Sequence, residues 1–108
     1  MSDFLARVAE LVRRGEVNVS RHGFRELSAD DILLDDVIAG LDVAIPVEEY
    51  PNYGKGPCIL VLHRDRANKP VHVLWGIPKD QTTPAVLITA YRPEPARWSA
   101  DFTRRTKP

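Results

Sequence analysis

Three groups of residues in this 108-residue chain have side chains suited to moving protons or holding phosphate. The first is His22, Arg25 and Glu26, whose spacings of three and four place them on one face of a helix. A neutral imidazole beside a guanidinium and a carboxylate acts as a general acid or base near neutral pH. The second group is strung along three apolar runs, CILVLHR (58–64), PVHVLWGI (70–77) and AVLITAYRP (85–93), whose polar members are His63, Arg64, His72, Thr89, Tyr91 and Arg92. Polar side chains on a mostly buried sheet need a partner or a purpose. The third is RWSADFTRR (97–105), where Trp98 and Phe102 are interleaved with Arg104 and Arg105. Aromatic rings and arginines in this order stack on bases and neutralise phosphates. Each group also has a plain structural reading. Arg25 and Glu26 are then surface ions with His22 a cap, His72 is a satisfied strand residue, and Trp98 and Phe102 dock the C-terminus over a core edge.

Other chemistries find little support. Nothing has the local spacing of a zinc or calcium site: cysteines are not paired, no histidines stand four apart, and there is no aspartate ladder. No metal and no cofactor is expected. Gly54 and Gly56 flank Lys55 without a phosphate-loop pattern and read as turn glycines. Cys58 begins an apolar strand and reads as packed rather than nucleophilic. A lone cysteine makes no internal disulfide, so cytoplasmic residence is the expectation. No apolar run approaches the roughly 20 residues of a membrane span, so no membrane is expected as a partner. The N-terminus, MSDFLARVAE, lacks the apolar stretch of a signal peptide.

The elements that must position these groups follow from periodicity. Ser2 is a good N-cap, Phe4, Leu5, Val8, Leu11 and Val12 recur at helical spacing, and Gly15 is a stop. Residues 17–19 read as a short extended link or edge strand, and a second helix runs from Ser20 to near Leu27. Ser28-Ala-Asp-Asp31 resembles a capping box opening a third helix, with Ile32, Leu33, Val37, Ile38 and Leu41 inward and the aspartates outward. AIPVEEY (44–50) is a strand that Pro46 confines to an edge. The connections 65–69 and 78–84 are short enough for antiparallel hairpins and leave no room for a helical crossover. Alternation puts Val71, Val73, Trp75 and Ile77 on the helix-covered face and His72 with Leu74 on the open one. Tyr91 joins His72 there if register allows. The expected fold is α+β: N-terminal helices packed on one face of a three- to four-stranded antiparallel sheet, with a short C-terminal helical turn or tail. One domain spans residues 1–108.

An apolar fraction of 44% with 28% charged residues fits a soluble globular protein, and the net charge is zero. The charge is unevenly spread. Residues 30–49 carry seven acids and no Lys or Arg, whereas 51–80 and 91–108 each carry five cations against two acids. Basic segments on one face would hold a polyanion or an acidic partner; the alternative is ordinary solvated surface.

The segments His22 to Arg25, Tyr50-Pro51, Gly56-Pro-Cys58, Pro70-Val-His-Val73 and Thr89-Ala-Tyr-Arg-Pro93, followed by Trp98 and Phe102-Thr-Arg-Arg105, carry a resemblance in order and spacing. They resemble the bacterial domain-of-unknown-function family 4258 (DUF4258) over roughly residues 17–105. That family is similar in layout to RelE-like small toxins, with helices on an antiparallel sheet whose open face and C-terminal segment bind RNA. One departure is Gly23, where the pattern has a small Ala, a change that weakens a helix by up to about 1 kcal/mol.

The resemblance implies a small toxin-like RNA-binding protein, with metal-independent endoribonuclease activity of a toxin–antitoxin system as its catalytic form. RNA and an antitoxin-like protein are the implied partners. Cleavage needs a base for the ribose 2′-OH, an acid for the leaving 5′-oxygen and cations for the phosphorane charge. His72 and His22 are the acid–base candidates, with Arg25 beside His22. Arg25, Arg92 and Arg105 are the phosphate clamps, Arg104 is a further RNA-binding cation, and Tyr91 an orienting or stacking group. The alternative is a non-catalytic protein-interaction domain or an inactive descendant of the toxin fold.

Overall fold

The chain is described by a computed structural model covering residues 2–106; Lys107 of the basic C-terminal segment lies outside the described residues. Helix α1 (Asp3–Arg13) starts where Ser2 Oγ accepts the Leu5 N–H at 3.0 Å and buries Leu5, Val8, Ala9, Leu11 and Val12. Strand β1 (Val17–Val19) and helix α2 (Arg21–Ala29) follow, then the short helix α3 (Leu34–Ala39) and a single 3-10 turn at Leu41–Val43. The rest is strand-dominated: β2 (Ile45–Tyr50), β3 (Cys58–Arg64), β4 (Pro70–Gly76) and β5 (Ala85–Tyr91), then a 3-10 turn at Pro95–Arg97.

The fold is α+β, but the sheet differs from the expected one. It has five strands in the order β1-β5-β4-β3-β2, and it is mixed. β2, β3, β4 and β5 form the expected antiparallel meander, whereas β1 runs parallel to β5, with Val17 opposite Ala85 and Val19 opposite Leu87. The crossover that parallel pairing needs is supplied by everything between residues 19 and 85 rather than by one helix. β2 is the outermost strand on the other side, and its register slips between Pro46 and Glu48. An edge is where a proline lacking its N–H is tolerated.

The helices do not all lie on one face. α1 and α3 cover the face bearing Ile59, Val61, Val71, Val73, Trp75 and Leu87, which forms the core with them. α2 instead continues past β1 along the outer margin of β5. Ser20 Oγ accepts from the Gly23 N–H at 2.9 Å and donates to the Ile88 carbonyl at 2.7 Å, and Asp30 Oδ2 accepts the Arg92 N–H at 3.1 Å. These bonds satisfy backbone groups that an open strand edge would leave to water. Gly23 is what permits the approach: a Cβ there would lie 2.8 Å from the Leu87 carbonyl oxygen. The residue that weakens the helix by propensity lets it seat.

The expected capping box at Ser28–Asp31 does not form. Ser28 and Ala29 belong to α2, Asp30 ends it, and Asp31 takes a left-handed φ of 53°. α3 begins only at Leu34, with no side-chain cap, and Leu33 points outward at 59% exposure. Asp30 was a poor helix opener here because its carboxylate is engaged by the end of β5.

Candidate functional site

Alternation along the strands gives the second face of the sheet its composition. On β3 it carries Cys58, Leu60 and Leu62, and on β4 His72, Leu74 and Gly76. β5 adds Tyr91 directly opposite His72, and a bulge between Leu74 and Trp75 lets Ile88 and Thr89 both line this face. β2 contributes Glu48 and Tyr50, two apart and therefore on one side, opposite Leu60 and Cys58.

The chain after β5 folds back over one end of this face. Trp98 forms a β-bridge with Arg105, and Asp101 holds the turn between them. Asp101 Oδ1 accepts from Ser99 Oγ, the Thr103 N–H and Thr103 Oγ1, bonds that push its carboxyl down to about 2. Phe102 sits at a left-handed φ of 63°, which strains a non-glycine residue by about 1 kcal/mol or more. That conformation delivers the Phe102 carbonyl to His72 Nε2 at 2.8 Å.

His72 is the hinge of the site. Its ring is fully buried, meets Trp98 edge-on at 4.3 Å and Tyr91 edge-on at 5.3 Å. Because Nε2–H donates to a carbonyl, Nδ1 is the acceptor and receives the Tyr91 hydroxyl at 3.2 Å, the tautomer being assigned from these partners. Burial holds the imidazole below its ordinary pKa and so neutral, with the Arg105 charge acting in the same direction. Burial raises the Tyr91 phenol, which also stays neutral. Both ring nitrogens of His72 are thus engaged beneath Trp98, and of the pair it is Tyr91 that lines the open groove.

Around this pair lies a charged bracket that the sequence did not single out. Arg105 Nε donates to Glu48 Oε1 at 2.7 Å, its guanidinium lies 4.8 Å over the Trp98 ring, and Tyr50 Oη donates to Glu48 Oε2 at 2.7 Å. The Tyr50 bond, then Arg105, holds the Glu48 carboxyl below its usual range, and Glu48 in turn raises Arg105. The signal was there in Glu48, one of the seven acids of residues 30–49, at strand spacing from Tyr50.

Tyr50, Tyr53, Leu60, Leu74, Tyr91 and Arg105 line a groove of about 290 Å3 on the uncovered part of the face, with Cys58 at its base. The Cys58 thiol is buried and its pKa raised by that burial, which suits packing rather than attack. The groove shares Tyr91 and Arg105 with a basin of about 530 Å3 that reaches Arg92 and Arg97. At the other end it shares Tyr53 and Ile88 with a groove of about 420 Å3 that reaches His22 and Lys55.

The expected site residues therefore fall into three places. His72, Tyr91 and Arg105 come together. His22 is exposed on α2, 4.0 Å from Glu26 Oε1, and borders the far groove beside Gly76. Gly76 lies four positions along β4 from His72, about 13 Å at the usual rise, so the two histidines do not form one acid–base pair. Arg25 is exposed on α2 and does not border that groove. Arg92 is held internally: Nη1 donates to Asp65 Oδ2 at 2.8 Å, tying the end of β5 to the β3–β4 turn. Arg104 is exposed, its backbone bonded to Ser99. Among the described residues no group of three or more His, Cys, Asp or Glu is arranged to hold a metal ion. Among the described residues no helix is long and apolar enough to cross a membrane.

No curated protein and no solved structure matches the chain. One family model does, over residues 19–92, from the last residue of β1 to just past the end of β5. The chain thus belongs to the family described as "Domain of unknown function (DUF4258)".

Proposed function

We propose that the protein binds single-stranded RNA across the uncovered face of its sheet, as a small toxin-like RNA-binding module. The observation that carries this reading is the groove itself, a continuous path along Tyr91, Tyr50 and Tyr53 with Arg105 at one end and Lys55 at the other. Aromatic rings at intervals give each unstacked base a platform worth about 1–3 kcal/mol, and flanking cations neutralise the backbone. Arg105 exchanges its exposed Glu48 partner for a phosphate at little cost, since such pairs contribute about 1 kcal/mol or less. In the ribonuclease form of this function, Tyr91 is the group that reaches the ribose and Arg105 the one that meets phosphorane charge. His72 is then a positioning residue that fixes the Tyr91 hydroxyl.

The test is a titration of labelled single-stranded RNA at several salt concentrations. Three phosphate contacts on a single strand give a log–log salt slope near −2. Reversing Arg104 and Arg105 to Glu should weaken binding about ten-fold or more for all sequences alike, while Tyr91→Phe should spare binding and remove any cleavage. A flat titration at low salt rules the reading out.

A second reading has its own observation. Val43 at 79% and Ile45 at 49% exposure lead into β2, the outer strand, within the acidic stretch 30–49. An antitoxin-like partner that adds a basic strand to this edge would bury both.

A further inference from the structure

We infer that the groove between α2, the 50–57 loop and the β4–β5 end of the sheet is a pocket for one unstacked nucleobase, whose adjoining phosphate meets Lys55 and His22. This rests on the open face being an RNA track, and it adds the place where that track would read a base. The groove measures about 420 Å3, within the range of small-molecule sites. Its walls are Ile77, Pro78, Val86 and Ile88, so a flat ring loses little by entering.

Its depth comes from a missing side chain. A Cβ on Gly76 would lie 2.7 Å from Ile88 Cδ1 and 3.3 Å from the Pro57 carbonyl oxygen. Glycine there allows Ile88 to lie back as a wall instead of filling the space. At the mouth stand a cation and an exposed imidazole, Lys55 and His22, the complement of an anion attached to an apolar ring. Tyr53, 56% exposed, borders both this groove and the open-face one, so it separates a base in the pocket from the next base on the sheet. An aliphatic chain would use the walls but not the spacing of ring-sized pocket, aromatic divider and cationic mouth.

The experiment titrates the full-length protein with the four ribonucleoside 5′-monophosphates, and with the matching nucleosides, to millimolar concentration. The readout is the methyl NMR signals of Ile77, Val86 and Ile88. Saturable shifts confined to these methyls are expected, with one or two bases favoured. The nucleoside should bind up to about five-fold more weakly than its nucleotide, and Lys55→Gln should erase that difference. Gly76→Ala, which drives Ile88 into the space, should abolish the shifts; Val86→Phe, which fills the groove from its other side, should do the same should the first variant fold poorly. Absence of shifts with all four nucleotides, while an oligonucleotide still binds, overturns the pocket and leaves the RNA track standing. Nucleotide binding with a flat oligonucleotide titration has the opposite meaning. Shifts by capped leucine or phenylalanine amides but not by nucleotides would overturn the inference in favour of a protein partner.

Discussion

The two sides of the sheet each bury one histidine, and they use it in opposite ways. His63 faces the helix-covered core, where Nδ1 donates to the Val37 carbonyl at 3.0 Å and Nε2 accepts the Trp75 indole N–H at 3.1 Å. His72 faces the other side, under the C-terminal segment, and is locked in the opposite tautomer: Nε2 donates and Nδ1 accepts. Both rings are satisfied and neutral. The difference lies in the partner that donates to each. An indole inside a core has no chemistry to offer, whereas the Tyr91 phenol stands at the edge of a groove beside Arg105. Burial of a histidine is thus a poor guide to its role, and the exposure of its partner is a better one.

The largest effect that could break this comparison is in the core. Trp75→Ala should destabilise the fold by about 3–5 kcal/mol, from the lost indole and from the orphaned His63 Nε2. Denaturant unfolding that leaves the midpoint unmoved would mean that the two faces have been exchanged.

Next comes pH. Burial lowers His63 to about 4. Between there and the ordinary imidazole value the unfolded chain binds more protons than the folded one, so stability falls as the solution is acidified. The contribution is whole above that interval and is lost progressively towards pH 4, on the order of 3 kcal/mol for a shift of this size. His72 adds in the same direction. Urea midpoints measured from neutral pH downwards should show this slope, and His63→Gln, which keeps a donor and an acceptor but does not titrate, should flatten most of it. An unchanged slope in that variant would place the titration elsewhere.

The smallest effect sharpens the contrast. Trp98→Ala should lower stability by about 2 kcal/mol and uncover His72, moving its NMR titration up towards the ordinary range while leaving His63 where it is. If His72 does not move, the C-terminal segment is not what keeps it neutral.

Much of this arrangement was legible in the residues themselves. The alternation of Val71, Val73, Trp75 and Ile77 against His72 and Leu74 assigned both faces, because period two leaves no other choice on a strand with one covered side. Pro46 marked an edge, and Ser2 and Ser20 marked helix starts, because those are local effects of one side chain on its own backbone. What stayed hidden depends on distant partners. The three residues of β1 carry no pattern that names β5, and nothing in Ser28-Ala-Asp-Asp31 reveals that Asp30 serves Arg92 instead of a helix. The pairing of His72 with Tyr91 was legible as a shared face, but the covering of that pair was not, since it depends on Phe102 adopting a left-handed backbone. Arg92 looked like a phosphate clamp because sequence does not show Asp65 beside it.

The parallel pairing of β1 with β5 bears on the order in which the molecule assembles. β2, β3 and β4 meet their neighbours within a few residues and can pair as soon as they exist, whereas Ser20 bonds to Ile88, 68 residues away. Sequence-distant pairings close slowly because a long loop must be brought together first. During synthesis, then, the residues made first are the last to find their place. Until β5 emerges, the apolar stripe of Leu5, Val8, Leu11 and Val12 has only part of its sheet to lie on. A nascent or truncated chain that stops short of residue 85 carries that stripe uncovered, and such surfaces are where chaperones bind and where aggregation begins.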